Sequence, residues 1–261
     1  MSSKDTQQQK KYKILLIGEL CQDVYVFGKV NRISPEAPVP IIKKTRKEFK
    51  EGMSGNVYKN IIQMLPNAEI IAHQNEISNI KKIRFIDEKS NYQIMRYDIE
   101  KPIENFDIKS IQFQEYDAII ISDYDKGFLT DSAIDYLTTA FNSKIFVDTK
   151  RKNLGNFKNS IIKLNENESK NSIHKHKSSK IITTLGQLGC TYEEKIYSTD
   201  TVEVYDVCGA GDVFLAALVV RWIETKDMHS AIKTANRCAA LSVTKLGCYA
   251  ISREEYENLR I

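Results

Sequence analysis

The chain has 261 residues, 42% hydrophobic and 28% charged, which is enough for one large α/β domain or two small ones with a real core. Its 38 basic and 34 acidic residues leave a net charge of +4, too mild to point to nucleic acid or a membrane surface. The five cysteines are scattered, odd in number and without a Cys-x-x-Cys pair, which argues for a reducing, cytoplasmic setting, and no apolar run reaches membrane-spanning length.

The polar stretch 1–11 reads as a flexible tail. KILLIGEL (13–20) is a short apolar run broken by glycine, the pattern of a buried strand in a parallel sheet. Residues 23–49 are rich in β-formers and carry prolines that bar a helix, and 81–100 read as a hairpin around DEKSN. Together these two stretches predict a small β-layer serving as a lid or a dimer surface. YDAIIISDYDKG (116–127), SKIFVDTK (143–150) and SKIITTLGQLG (179–189) repeat the apolar-strand pattern, and 131–142 has helical spacing between them. This alternation predicts a doubly wound α/β sheet, with ligands bound beyond the carboxyl ends of its strands, where Glu19, Asp23, Asp123 and Asp148 fall. The remainder reads as helices: 210–225, then 229 to a stop at Gly247, then 252–260, where Ser252 and Glu255 form a capping-box pattern. No repeat or low-complexity linker divides the chain, so 1–261 is expected to be one domain.

The segment YDVCGAGDVFLAALVV (205–220) carries the chemistry. A helix starting near Ala210 leaves its first backbone N–H groups without intrahelical partners and adds dipole charge there. Gly209, Ala210 and Gly211 put no large side chain in the way, so the turn suits an anion. Asp212 in the first turn is placed to take a proton from a hydroxyl attacking that anion, and phosphoryl transfer needs little beyond alignment, charge neutralisation and such a base. An isolated Gly-Ala-Gly-Asp is equally a helix start with a favourable acid, and the surroundings must decide.

They do so by resemblance. Asp206 to Asp212 resembles the Asp-x-x-Gly-Ala-Gly-Asp signature of the ribokinase-like (PfkB) carbohydrate kinases, and further motifs follow in family order: GELCQD (18–23), GMSGN (52–56), NENE (165–168), TLGQLG (184–189) and ANRCAA (235–240). NRISPEAPVPIIK (31–43), QIMRYD (93–98), SDYDKG (122–127), VDTK (147–150) and KLG (245–247) are similar to the bacterial heptose-7-phosphate kinases, RISPEAPVP being the most specific match. The resemblance implies a three-layer α/β/α sandwich with a β-lid over about 23–49 and 81–100. It also implies ATP and Mg²⁺, while the apolar residues of an exposed β-layer invite pairing, so a homodimer through the lid is expected. The reaction it implies is phosphorylation of a sugar or sugar phosphate, foremost the anomeric hydroxyl of a heptose 7-phosphate. By the same resemblance Asp212 is the base, with Gly209, Ala210 and Gly211 as its anion hole. Asp23, Gly52, Asn56, Arg32, Arg96, Asp123 and Lys126 would contact the sugar substrate. Lys150, Asn165, Thr184, Gly186, Gly189 and Asn236 would contact the nucleotide. Asn165 and Glu168 would meet Mg²⁺ through water, and Asp206 would lie near a monovalent cation such as K⁺. Met53 stands where the family has a second glycine, and the chain is short between 68–73 and 81–85. A kinase-fold protein that binds or regulates without turnover is the competing expectation. No H-x-G-H motif occurs, so no nucleotidyl transfer is expected, nor is a nucleic-acid partner.

Overall fold

The computed structural model describes residues 11–111, 115–141 and 144–261. The expected tail over 1–11 lies, apart from Lys11, outside these residues. In chain order the elements are β1 (Lys13–Gly18), β2 (Leu20–Ile33), β3 (Pro40–Met53), α1 (Ser54–Met64), β4 (Glu69–Gln74), β5 (Ile80–Asp87) and β6 (Gln93–Glu100). Then come β7 (Ala118–Asp123), α2 (Asp131–Ala140), β8 (Lys144–Thr149), β9 (Ser160–Asn165), α3 (Glu166–Asn171) and β10 (Lys180–Thr184). The short strands β11 (Cys190–Tyr192) and β12 (Lys195–Tyr197) precede three helices, α4 (Ala210–Thr225), α5 (Met228–Ser242) and α6 (Arg253–Leu259).

The main sheet has the order β12-β11-β10-β9-β8-β7-β1-β4. It is parallel from β10 to β4, and β11 and β12 close one edge antiparallel. Side chains alternate across each strand. Ile14, Leu16, Ile120 and Phe146 therefore join a core with α1, α4, α5 and α6, whereas Leu15, Ile17, Ile121 and Val147 join a second core with α2 on the other face. This is the expected three-layer sandwich. Helix α4 is buried along most of its length, from Asp212 to Val220 without interruption, and packs against β8, α1 and α5. Each large apolar side chain buried this way contributes about 1.5–3 kcal/mol relative to exposure, so the first turn of α4 is held in place by the core behind it.

The lid expected over 23–49 and 81–100 is a four-stranded sheet of order β3-β2-β5-β6. Two of its four chain connections rise from the main sheet, the other two being β3 into α1 and the run from β6 to β7. Only Glu19 separates β1 from β2, and five residues, 75–79, lead from β4 to β5. Asn75 joins these two connections: Leu20 N–H donates to its Oδ1 at 2.7 Å, and its Nδ2 donates to the Leu20 carbonyl at 3.0 Å.

Three local expectations change. The strands β4 and β9 were not foreseen, because HQ ends one run and Lys163 interrupts the other. Helix α5 stops at Ser242 rather than Gly247; Gly247 instead sits in a left-handed turn (φ +68°) with its N–H bonded to Asp206 Oδ2 at 2.8 Å. The polar loop at 165–171 contains α3, started by a complete capping box between Asn165 and Glu168. The Ser252–Glu255 capping box forms as read.

Candidate active site

Asp212 sits in the first turn of α4, beyond the carboxyl ends of the parallel strands. Gly209, the N-cap, has φ +76° and no capping side chain. A Cβ there would lie 2.6 Å from Asn56 Nδ2, so a larger residue would push Asn56 aside. Asn56, from α1, donates to Asp212 Oδ2 at 3.1 Å and to the Gly209 carbonyl at 3.4 Å. One turn on, Asn60 Nδ2 donates to Asn56 Oδ1 at 3.2 Å, which fixes the amide orientation. Tyr124 OH donates to Asp212 Oδ1 at 2.9 Å. Tyr124 is itself placed by Glu19, a buried carboxylate that accepts the backbone N–H groups of Tyr124, Lys126 and Phe128 at 2.7, 3.1 and 3.3 Å.

Among the described residues Asp212 thus holds one neutral donor on each oxygen and no ion pair, with lone pairs left for a third group. Burial, aided by the Asp148 charge, raises its pKa from 3.8 to about 6, and the donors Asn56 and Tyr124 and the charge of Lys163 only partly offset this. Of the three residues read as an anion hole, Ala210 spends its N–H on the Val207 carbonyl at 3.3 Å. The N–H groups of Gly211 and Asp212 are the ones for which helix geometry provides no partner.

Beside this turn lies a cleft of ≈ 640 Å³ lined by Tyr124, Asp148, Lys150, Lys163, Gly211 and Asp212 among others. Lys163, on β9, is buried and donates to Asp148 Oδ2 at 2.7 Å; its Nζ would lie 2.6 Å from a Cβ at Gly211. Burial pushes Asp148 up, but Lys163 and Lys150 outweigh it and hold the carboxyl below its usual range. Lys150 pairs with Glu168 and lies 3.6 Å from Asp148 Oδ1, an atom with no hydrogen-bond partner. A second, apolar chamber of ≈ 330 Å³ shares Thr184, Gly186, Val207 and Gly211 with the cleft and runs on to Val202, Phe214 and Val243. Gly189 and Asn236 also line it, Asn236 Nδ2 donating to the Tyr197 carbonyl at 2.8 Å.

On the lid side, Asp23 is buried and paired with Arg84, and its Oδ2 accepts from Cys248 Sγ at 3.4 Å. Gly52 is needed there, since a Cβ would meet Asp23 Oδ2 at 2.1 Å. Met53 next to it is buried with φ +58° and ψ −131°, a sparsely populated region that glycine takes readily and that costs another residue about 1–3 kcal/mol. Strand register puts Lys50, Lys82, Arg84 and Arg96 on the same face of the lid as Asp23. Lys82 Nζ lies 5.4 Å from the Tyr124 ring.

Not every expected residue joins this site. Asp123 is buried and saturated: Oδ2 accepts from Thr149 Oγ1 and Arg151 Nε, each at 2.7 Å, and Oδ1 from Asp125 N–H at 3.3 Å. It anchors the strand ends instead of offering oxygens to a ligand. Lys126 pairs with Glu100 at 2.7 Å, Arg96 pairs with Asp98 at 2.9 Å, and Arg32 lies exposed toward the far end of β2. Asn165 and Glu168 meet in the α3 cap, with Glu168 Oε1 on Lys150 and Oε2 on Asn165 N–H. Asp206 accepts Cys208 N–H on Oδ1 at 2.9 Å and Gly247 N–H on Oδ2, so it staples two loops.

Residues 155–255, which include Asn165, Glu168, the Gly-Ala-Gly-Asp turn and Asn236, match the profile of the pfkB family carbohydrate kinases. The chain carries a pfkB-family carbohydrate kinase domain. In an alignment 301 positions long it is 32% identical to the bifunctional protein HldE of a Nitratiruptor species, across 95% of this chain and 64% of that protein. The chain thus spans a little under two thirds of the length of that relative. The pfkB domain has the ribokinase-like fold. The phosphofructokinase-2 of Escherichia coli in complex with potassium matches it with a TM-score of 0.70 at 13% identity, over 95% of this chain and 97% of that one. The ribokinase of Arabidopsis thaliana complexed with ribose and ATP matches with a TM-score of 0.67 at 12% identity, over 96% and 99%.

Three residues of the pfkB site were not singled out from the sequence: Tyr124, Lys163 and Arg84. Tyr124 lies inside SDYDKG, where by residue type the lysine and the acids are the stronger ligand candidates. Lys163 left a usable signal, since a lysine inside an apolar strand is buried only if paired. Arg84 had none, because KKIRFID offers three cations and only the fold selects one.

Proposed function

We propose that this chain is an ATP-dependent carbohydrate kinase that moves the terminal phosphoryl group of ATP onto a hydroxyl of a sugar phosphate, with the anomeric hydroxyl of a heptose 7-phosphate as the best-supported acceptor. The observation that carries this reading is Asp212, a buried carboxylate held by two neutral donors at the point where an apolar chamber meets a lysine-bearing cleft. The chamber suits a purine and the cleft its phosphates. The acceptor hydroxyl hydrogen-bonds to Asp212 and gives up its proton as its oxygen attacks phosphorus. The Gly211 and Asp212 amides, Lys163 and Lys150 offset the charge that accumulates on the phosphoryl oxygens. The Asp148 oxygen that accepts no hydrogen bond among the described residues suits a Mg²⁺ carried in with ATP, whereas Asn165 and Glu168 would meet it through water, their oxygens being used in the α3 cap. When bound, that ion would neutralise phosphate charge. Asp206 keeps spare lone pairs for a monovalent cation. Lys50, Lys82 and Arg84 on the inner face of the lid, beside Asp23, support an acceptor that is already phosphorylated, and the similarity to HldE supports a heptose.

With ATP, Mg²⁺ and heptose 7-phosphate, ADP release is expected, and it should be far slower with the unphosphorylated sugar. The free-enzyme kcat/KM should rise with pH through an apparent pKa of about 6, as Asp212 loses its proton. Tyr124→Phe removes a donor that stabilises the carboxylate, so the rise should move to higher pH. A profile flat from pH 5 to 8 would rule out Asp212 as the base. The buried Asp23–Arg84 pair favours one other reading, a kinase-fold protein that binds nucleotide without turnover; ATP binding with no ADP release on any sugar phosphate would establish it.

The face of the lid opposite Arg84 exposes Phe49, Met95 and Tyr97, which supports pairing of two lids in a homodimer. The five unpaired cysteines support a cytoplasmic setting, and no helix among the described residues is long and apolar enough to cross a membrane. Sedimentation at high protein concentration should give a dimer, and a monomer there would remove the lid interface.

A further inference from the structure

Two thiols that the phosphoryl transfer does not use face each other beside the cleft. Cys208 directly precedes Gly209 and Cys248 directly follows Gly247, and their Sγ atoms lie 3.3 Å apart. The approach is held by backbone: Asp206 binds the N–H groups of Cys208 and Gly247 on its two oxygens, at 2.9 and 2.8 Å. A Cβ on Gly209 would lie 3.3 Å from Cys248 Sγ, so the anion turn rests on the second loop. The pair also reaches the lid. Cys248 Sγ donates to Asp23 Oδ2 at 3.4 Å, and Arg84 Nη2 lies 3.6 Å from Cys208 Sγ. The other three cysteines, Cys21, Cys190 and Cys238, are buried, and burial pushes their thiols up to about 12.

We propose that Cys208 and Cys248 form a reversible disulfide in the presence of a two-electron oxidant of the peroxide class, and that this bond shuts the site. Cys208, the partly exposed member, meets the oxidant first. Its sulfur attacks a peroxide oxygen; an S–O bond forms, the O–O bond breaks, and water leaves a sulfenic acid. Cys248 sulfur then attacks the sulfenic sulfur; the S–S bond forms, the S–O bond breaks, and the hydroxyl departs with the Cys248 proton as a second water. Two thiols and one peroxide give one disulfide and two waters. The sulfurs need to close by only about 1.3 Å to reach a bond of about 2.05 Å. The new bond removes the S–H that Asp23 accepts and fixes the Gly209 turn to the loop after α5. The loss of turnover rests on the kinase reading; the cross-link does not.

Asp23, Cys208 and Cys248 also bring one ligand atom each within 4.8 Å of one another, a spacing a soft metal could use. Arg84 already supplies positive charge at that point, which disfavours a cation.

The test treats the full chain with hydrogen peroxide, alkylates the remaining thiols and maps peptides by mass spectrometry. The expected product is a Cys208–Cys248 cross-link with three thiols still alkylated, reversed by dithiothreitol, with ADP release falling at least tenfold and returning on reduction. Cys208→Ser and Cys248→Ser should each abolish the cross-link, whereas Cys190→Ser should not. Sulfinic Cys208 beside an alkylated Cys248, a bond to Cys21, or stoichiometric zinc in the purified chain would each overturn the dithiol assignment. Unchanged turnover in the cross-linked chain would overturn its effect on the site. A cross-link in a chain that releases no ADP in either redox state would refute the kinase reading and leave the disulfide standing.

Discussion

Asp212→Asn should lower kcat by about 10²–10⁴-fold, the usual contribution of a positioned base, and should make the fold more stable at neutral pH. The substitution keeps the local hydrogen bonds: the new amide oxygen accepts from Asn56, and its nitrogen donates to the Tyr124 oxygen. Nucleotide affinity should therefore stay within a few-fold of the wild type. The stability gain follows from the raised pKa. Between pH 3.8 and about 6 the folded chain keeps a proton that the unfolded chain has lost, so stability falls as pH climbs through that window. Above it the whole penalty stands, at most about 3 kcal/mol at about 1.36 kcal/mol per pKa unit. Thermal unfolding at pH 7.5 should show the variant melting on the order of 5 °C higher. At pH 3.5, where Asp212 is largely neutral in both states, the gain should nearly vanish. A variant that is less stable at pH 7.5, or one that keeps wild-type turnover, would remove Asp212 from the role of buried base.

Lys163→Met should be the most damaging single change to stability in the site. It leaves Asp148 buried with only Lys150, 3.6 Å from its other oxygen. Breaking one side of a buried pair costs about 3–5 kcal/mol because the remaining charge is uncompensated. That is a large part of the 5–15 kcal/mol that typically holds a domain together. Urea unfolding at pH 7.5 should show this loss, and Asp148→Asn combined with Lys163→Met should recover most of it. The Asp148 carboxyl is held below its usual range, so its contribution is present above pH 3.8 and fades as pH falls through the lower folded pKa. The loss in Lys163→Met should therefore shrink in acid. Equal destabilisation by the single and double variants would mean that the pair is not coupled. Lys163 also lowers the Asp212 pKa, so any turnover left in the single variant should move to higher pH.

The sequence carried the frame of this site further than its details. The apolar runs 14–17 and 118–121 could be read directly because strands buried on both faces have no polar alternation to obscure them. The Gly-Ala-Gly-Asp turn could be read because its residue types and their spacing are themselves the chemistry. What stayed hidden is what depends on contacts between distant segments. Asn56 and Asp212 are 156 residues apart, and Tyr124 and Asp212 are 88 apart. No local pattern says that an amide on α1 and a phenol after β7 will meet one carboxylate. Asp123 shows the opposite error. A strand-end acid is a fair ligand candidate until Arg151, Thr149 and Asp125 are seen to occupy its oxygens. Lys163 was legible in part, as an odd residue in an apolar run, but its partner Asp148 was not.

The clasp between Leu20 and Asn75 ties the two central strands of the lid to one point of the main sheet. Leu20 and Asn75 grip each other through both a donor and an acceptor, and β2 and β5 are laddered side by side from just beyond that grip. The lid is held to the body at a second place as well, since β3 runs directly into α1 and Lys50 Nζ donates to the Leu246 carbonyl at 3.0 Å. Asp23 on β2 and Arg84 on β5 stand on the two strands that the Leu20–Asn75 clasp ties together, so a substitution at Asn75 should disturb the carboxylate and the guanidinium together.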